Sequence, residues 1–173
     1  EKMQKELNLK VKFRESFRPF APSILREHLS DWFEHDSDSP YMLFVAKVKK
    51  KRLKEISERD KLLFGLSKLN VPRSSVPAIT HVDNSARIQT VHYDTNPLYH
   101  SVLTSFFEKT GCPLLVNTSF NVRGEPIVCS PSDAFRCFMG TDLEVLAIGN
   151  FFLKKENQNE SLKQQYEERY ELD

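Results

Sequence analysis

Apolar residues come in short bursts along this chain, and the spacing inside each burst predicts an element. Ile24, Leu25, Leu29, Trp32 and Phe33 fall at roughly helical intervals, which predicts a helix over 23–34. The polar run 35–40 reads as a loop, and the near-continuous apolar run 41–48 as a strand central to a sheet. Residues 76–82 and 86–91 are two extended runs separated by Asp83, Asn84 and Ser85, so they predict a hairpin. Asn96-Pro97 is a cap followed by proline at the first helical position, and Gly111 marks the stop. Leu98, Val102, Leu103, Phe106 and Phe107 between them make one apolar face. A buried strand follows at 113–118. Ser130-Pro131 repeats the cap signature before a short helix over 134–139, and 143–148 is a last strand.

The rest is more polar. Residues 1–9 read as a lead-in or helix end, and 10–13 as a strand entering a proline-rich loop. The charged stretch 49–75 is expected to be a mobile insertion, and its run Lys49-Lys50-Lys51-Arg52 a solvated loop rather than a nucleic-acid tail. Beyond Lys154, Leu162, Tyr166 and Tyr170 are spaced at four, which suggests a solvated or edge-docked helix. No internal repeat is present. Strands and helices alternate, with one hairpin breaking the alternation, so the expected fold class is α/β (α+β) with a mixed sheet.

Composition narrows the picture. With 173 residues, 39% of them hydrophobic, the chain suffices for one domain with a real core. A net charge of +1 argues that any basic site is local, and nucleic acid is not the expected partner. No apolar run is long enough to cross a bilayer and no signal peptide opens the chain, so a cytoplasmic protein is expected. The first residues, Glu1-Lys2-Met3-Gln4, read as part of a longer or processed protein. Cys112, Cys129 and Cys137 lack metal-ligand spacing and are expected to be small buried hydrophobes.

Three stretches carry candidate chemistry. In VKFRESFRPFAPSIL, Lys12, Arg14 and Arg18 lie within seven residues, interleaved with phenylalanine and stiffened by Pro19 and Pro22. On a strand Lys12 and Arg14 would share a face and repel, unless an anion lay between them. Arginine suits bidentate phosphate contacts and lysine acts as a point charge. The competing reading is a solvated strand face. In NTSFNVRGEP, Thr118, Ser119, Asn121 and Arg123 follow a strand's C-terminal end, where open α/β sheets place ligands. The alternative there is a polar turn capping its own backbone. His81 could be a base or a ligand, and Arg87 could meet an anion or a buried pair. A histidine near a turn is more often only hydrogen-bonded. No site built from protein ligands alone is expected for a metal.

Lys12-Phe13-Arg14 and Ser119-Phe120-Asn121 together resemble the paired K-x-R and S-x-N signature of YrdC-like domains. The longer stretches 12–23, 80–91 and 117–128 are similar to the C-terminal domain of NodU/CmcH-type O-carbamoyltransferases, and the resemblance spans roughly residues 9–152. It implies a YrdC-like twisted mixed sheet flanked by helices over 1–153, with 154–173 a polar, helical tail. It also implies that carbamoyl phosphate and ATP, carried with Mg²⁺, form carbamoyl-adenylate and pyrophosphate. A Kae1-like N-terminal domain of the same polypeptide would then transfer the carbamoyl group to an acceptor. Lys12, Arg14 and Arg18 would be catalytic. Arg87, Thr118, Ser119, Asn121, Arg123 and His81 would bind substrate or nucleotide. The competing functions are an RNA- or nucleotide-binding YrdC-like module and a non-catalytic docking domain.

Overall fold

A computed structural model describes residues 2–163. In chain order they form α1 (Lys2–Glu6), β1 (Ala21–Leu25), α2 (Leu29–Trp32), β2 (Phe44–Lys47), α3 (Glu58–Lys61) and α4 (Leu66–Leu69). There follow β3 (Ser85–Val91), α5 (Pro97–Thr110), β4 (Leu114–Asn117), α6 (Pro131–Gly140), β5 (Val145–Ile148) and β6 (Phe151–Lys154). The fold is mixed α/β. The described residues divide into two compact units, one over Pro19–Thr118 and one formed by Lys2–Arg18 with the described residues from Ser119 onward.

The first unit is built on a four-stranded sheet in the order β2-β3-β1-β4. β1 runs parallel to β3 and antiparallel to β4, and β2 is antiparallel to β3. Ile24 and Leu25 therefore lie in a strand, not in the helix that their spacing predicts. Only 29–32 of the expected helix is α-helical. The register explains how a central strand tolerates Pro22. Pairing with β3 begins at Ser23, while Pro22 faces only Val116 of β4. The ring's missing N–H thus falls where β3 asks for none.

The expected hairpin does not form. Pro77–Ile79 is a 3₁₀ turn, and both edges of β3 are occupied, by β2 and β1. The turn itself is real: the Asn84 N–H donates to the His81 carbonyl at 3.0 Å, and Asn84 takes a φ of 64°. β2 is an edge strand rather than a central one, and Tyr41, Leu43 and Val45 are exposed. The expected mobile insertion is tied at its base. Leu53 bridges to Ser74, Lys54 N–H donates to the Arg73 carbonyl at 2.8 Å, and the Arg52 guanidinium lies 3.8 Å over Trp32. α5 matches its signals closely. Asn96 Oδ1 accepts from Tyr99 N at 3.2 Å, and Gly111 closes the helix at φ 70°. Its apolar face is split, however. Leu103, Tyr99 and Phe107 pack on Leu25, Val91 and Leu115, while Leu98 and Val102 are exposed.

The second unit holds α1, a π-helical turn over Leu7–Val11, α6 and the antiparallel pair β5–β6. The expected strand over 10–13 is absent. Backbone bonds from Lys12 N to Leu7 O and Arg14 N to Asn8 O wind that stretch instead. β6 goes beyond the sequence reading, which ended its strands at 148. α6 is capped as expected, with Ser130 Oγ accepting from Asp133 N at 3.1 Å. One face of α6, through Phe138 and Met139, packs with Leu146; Cys137 packs with Val122. Lys155 closes the helix's C-terminal end. Its ammonium donates to the Phe138 and Thr141 carbonyls and sits 4.4 Å over the Phe138 ring. Past β6 the chain forms 3₁₀ turns at Lys155–Asn157 and Glu160–Leu162, not an α-helix. The part of the expected tail helix that includes Tyr166 and Tyr170 lies outside the described residues. Among the described residues no helix is long and apolar enough to cross a membrane.

Candidate functional site

The two short motifs meet within the second unit. Lys12 is buried, at 5% exposure, and its Nζ lies 2.8 Å from Ser119 O and 3.2 Å from Ser119 Oγ. It also lies 2.5 Å from Asn121 O and 2.8 Å from Asn121 Oδ1. The backbone completes the link, because Arg123 N donates to the Lys12 carbonyl at 3.2 Å. An ammonium has three protons and meets four oxygens here. Two of those oxygens belong to side chains that can turn, so a ligand oxygen can take the place of one.

Lys12 and Arg14 do not share a strand face. The residue between them, Phe13, has φ 48°, in the left-handed region where a bulky side chain costs about 1–2 kcal/mol. Its ring packs against the Val122 and Cys137 cluster, which offsets the strain. Backbone strain held by packing is a feature of sites that must aim side chains. Here it leaves the two cations close enough to perturb each other. Burial lowers the Lys12 pKa to about 8, with Arg14 adding to the effect and Glu125 opposing it. Burial, then Arg18, lowers that of Arg14.

The 119–125 loop is also a self-capped turn, so the alternative reading of NTSFN is partly right. Ser119 Oγ donates to Asn121 Oδ1 at 2.6 Å, and Asn121 Nδ2 to the Glu125 carbonyl at 2.7 Å. Gly124 supplies the φ of 76° at which the loop turns back. What the sequence did not mark is Glu125 itself. Its carboxylate is buried and accepts from Val122 N at 3.1 Å. It also faces Cys137, whose thiol is pushed up to about 12 by burial first and by Glu125 next. Cys137 is thus the inert buried hydrophobe expected. Cys129 is not: it is exposed, because it precedes the α6 cap rather than facing the core. Asn8 is the second missed residue. It is fully buried, and its Oδ1 accepts from Arg14 Nε at 2.6 Å. A lone Asn in a polar lead-in carries no periodic signal.

Arg18 is exposed and pairs with Glu15 at 3.8 Å. Arg123 lies 3.6 Å from the same carboxylate. The remaining candidates, His81, Arg87 and Thr118, belong to the first unit. His81 Nδ1 is 3.2 Å from Ser85 Oγ, and burial lowers its pKa, so the ring is neutral near pH 7. The neighbouring Asp83 is held well below the usual carboxylate range by Lys47 and Ser85. This is a closed turn network, and it matches the hydrogen-bonded alternative better than a catalytic base. Arg87 is exposed on β3 opposite Val45, rather than in a buried pair. Thr118 is exposed just past β4. Among the described residues no three His, Cys, Asp or Glu side chains are grouped to hold a metal ion.

With the lysine of the K-x-R motif seated on the S-x-N loop, comparison with known proteins gives the family. Residues 1–155 match the family described as Carbamoyltransferase C-terminus, and the chain belongs to it. It is 56% identical to an uncharacterized protein of Synechocystis sp. over 99% of this chain and 28% of that protein. It is 43% identical to the nodulation protein NolO of Bradyrhizobium diazoefficiens over 86% of this chain and 24% of the relative. It is 31% identical to the 3'-hydroxymethylcephem-O-carbamoyltransferase of Streptomyces clavuligerus, over 84% of this chain and 24% of the relative. The chain spans about a quarter of the length of these relatives.

Proposed function

We propose that this chain is the part of an O-carbamoyltransferase that makes carbamoyl-adenylate. Carbamoyl phosphate delivers carbamate, with water consumed and phosphate released. A carbamate oxygen then attacks the α-phosphorus of ATP, and pyrophosphate leaves with Mg²⁺. The observation that carries the reading is the seating of Lys12 Nζ on Ser119 and Asn121, 107 and 109 residues away.

The supporting chemistry is electrostatic. Phosphoryl-type transfer depends mainly on positioning and on charge placed where negative charge collects. The second unit carries Lys12, Arg14 and Arg18 on one short loop; burial is the main cause of the lowered Lys12 and Arg14 pKa values, and repulsion from Arg14 and Arg18 respectively adds to it. A bound anion relieves that repulsion. Lys12 and Arg14 would hold the phosphates or the carbamoyl group, with Ser119 and Asn121 orienting them and Arg123 and Arg18 adding charge. Arg87, His81 and Thr118 remain binding candidates on the first unit. On this reading Mg²⁺ arrives with the nucleotide, which needs few protein ligands. Transfer to an acceptor hydroxyl is assigned to a Kae1-like domain, consistent with the greater length of the relatives. Both substrates are cytoplasmic metabolites, so the cytoplasm is the compartment this reading expects.

The test is pyrophosphate release with ATP, Mg²⁺ and carbamoyl phosphate, beside Lys12→Ala. Release that requires carbamoyl phosphate and collapses in the variant supports adenylation. ATP binding without release means that a further domain must complete the site. Neither binding nor release sinks the enzymatic reading and favours a docking role.

A further inference from the structure

We infer that Asn8 is a positioning residue, the clamp that aims Arg14 and closes the cationic loop. This inference rests on the reading of the Lys12–Arg14 region as an anion site. It goes beyond that reading by assigning a residue outside both motifs.

Asn8 is fully buried, and it is one of the few polar side chains in the second unit so placed. Such a group must have its hydrogen bonds satisfied. Asn8 satisfies them entirely with the segment that bears the three cations. Its Oδ1 accepts from Arg14 Nε at 2.6 Å, and its Nδ2 donates to Arg18 O at 2.8 Å and Ser16 O at 3.2 Å. Its backbone carbonyl accepts from Arg14 N at 3.0 Å. One residue therefore holds Arg14 at both backbone and side chain, and holds the chain on to Arg18.

The geometry suits aiming more than mere bracing. A guanidinium is planar, so fixing Nε fixes the plane in which its other N–H groups point. An amide is the fitting partner. A carboxylate at position 8 would also accept from Nε, but it would neutralise the cluster an anion needs and could not donate to the two carbonyls. The π-helical turn over Leu7–Val11 places Asn8 on the inner side of this loop. Such turns are often found at functional sites.

The test is a double-mutant cycle with inorganic phosphate as the probe, its affinity read by calorimetry. The variants are Asn8→Ala, Arg14→Ala and the pair. Wild-type protein loses about tenfold in affinity on Asn8→Ala, and the Arg14→Ala background loses less than twofold on the same change. An equal loss in both backgrounds shows that Asn8 acts without Arg14 and overturns the proposal. A purely structural role lowers the melting temperature but produces no such coupling. Should Asn8→Ala fail to fold, Asn8→Ser, with room for a bridging water, carries the same cycle. Failure of both to fold assigns Asn8 to the frame of the loop alone and also overturns the positioning role. The cycle uses phosphate binding, so it stands apart from the adenylation reading. Wild type that binds phosphate but neither binds ATP nor releases pyrophosphate refutes adenylation only.

Discussion

Two lysines of the second unit look alike at first. Lys12 and Lys155 both point an ammonium at carbonyl oxygens, and burial lowers the pKa of both. Their surroundings differ in kind. Lys155 takes the last carbonyls of α6 and lies on the Phe138 ring, where a cation complements the negative end of the helix. Every one of those partners is fixed. Lys12 takes two backbone carbonyls but also the side chains of Ser119 and Asn121, and it stands beside Arg14. A buried cation alone marks no site. Like charge does not mark one either, since Lys163 also lowers the Lys155 pKa; exchangeable side-chain partners do.

The largest break in this comparison should come from replacing each lysine by methionine. Lys12→Met keeps the volume and removes the charge, and carbamoyl-phosphate-dependent pyrophosphate release should fall at least a hundredfold, on the order of 3 kcal/mol of transition-state stabilisation. Lys155→Met should leave release within twofold while lowering stability by about 1–2 kcal/mol, read by urea melts. A loss of activity in Lys155→Met without a loss of stability would erase the distinction.

Ser119→Ala should act more gently. It removes one of four oxygens at Lys12 and a donor to Asn121, so about a tenfold rise in KM for carbamoyl phosphate is expected. An unchanged KM would mean that the backbone carbonyls alone seat the lysine.

Protonation gives a finer probe. With its pKa lowered to about 8, Lys12 is a cation below that pH and loses its charge above it. Affinity for carbamoyl phosphate should therefore weaken as pH rises through about 8, and Lys12→Arg should abolish that inflection. The sign for folding is opposite. Between about 8 and 10.5 the unfolded chain holds a proton that the folded chain has shed, so stability should rise with pH across that window. The smallest expected effect is that of Glu125→Gln. Glu125 raises the Lys12 pKa, so its removal should move the inflection below 8. A shift upward would show that another group dominates.

Much of this was legible in the residues. The caps at Asn96 and Ser130 and the stop at Gly111 are local chemistry, settled by bonds that reach three or four residues along the chain. The two motifs were legible too, as residue types suited to anions. The strand at 21–25 was not, because Pro22 argues against a central strand until the register shows it facing β4 alone. The hairpin was misread for a related reason. Turn chemistry at Asp83 to Ser85 announces a reversal, but not which strand takes the vacant edge of β3.

The sequence by itself determined the class of fold, the two ends of α5, the cap of α6 and the two cationic and amide motifs. Those depend on contacts between near neighbours and on residue chemistry, which any reading of the chain can weigh. Only the tertiary structure decided that Lys12 sits on Ser119 and Asn121, that Phe13 turns left-handed between the two cations, and that Asn8 and Glu125 stand behind them. Those contacts join segments more than a hundred residues apart, or hang on burial, and neither leaves a period or a pattern in the chain.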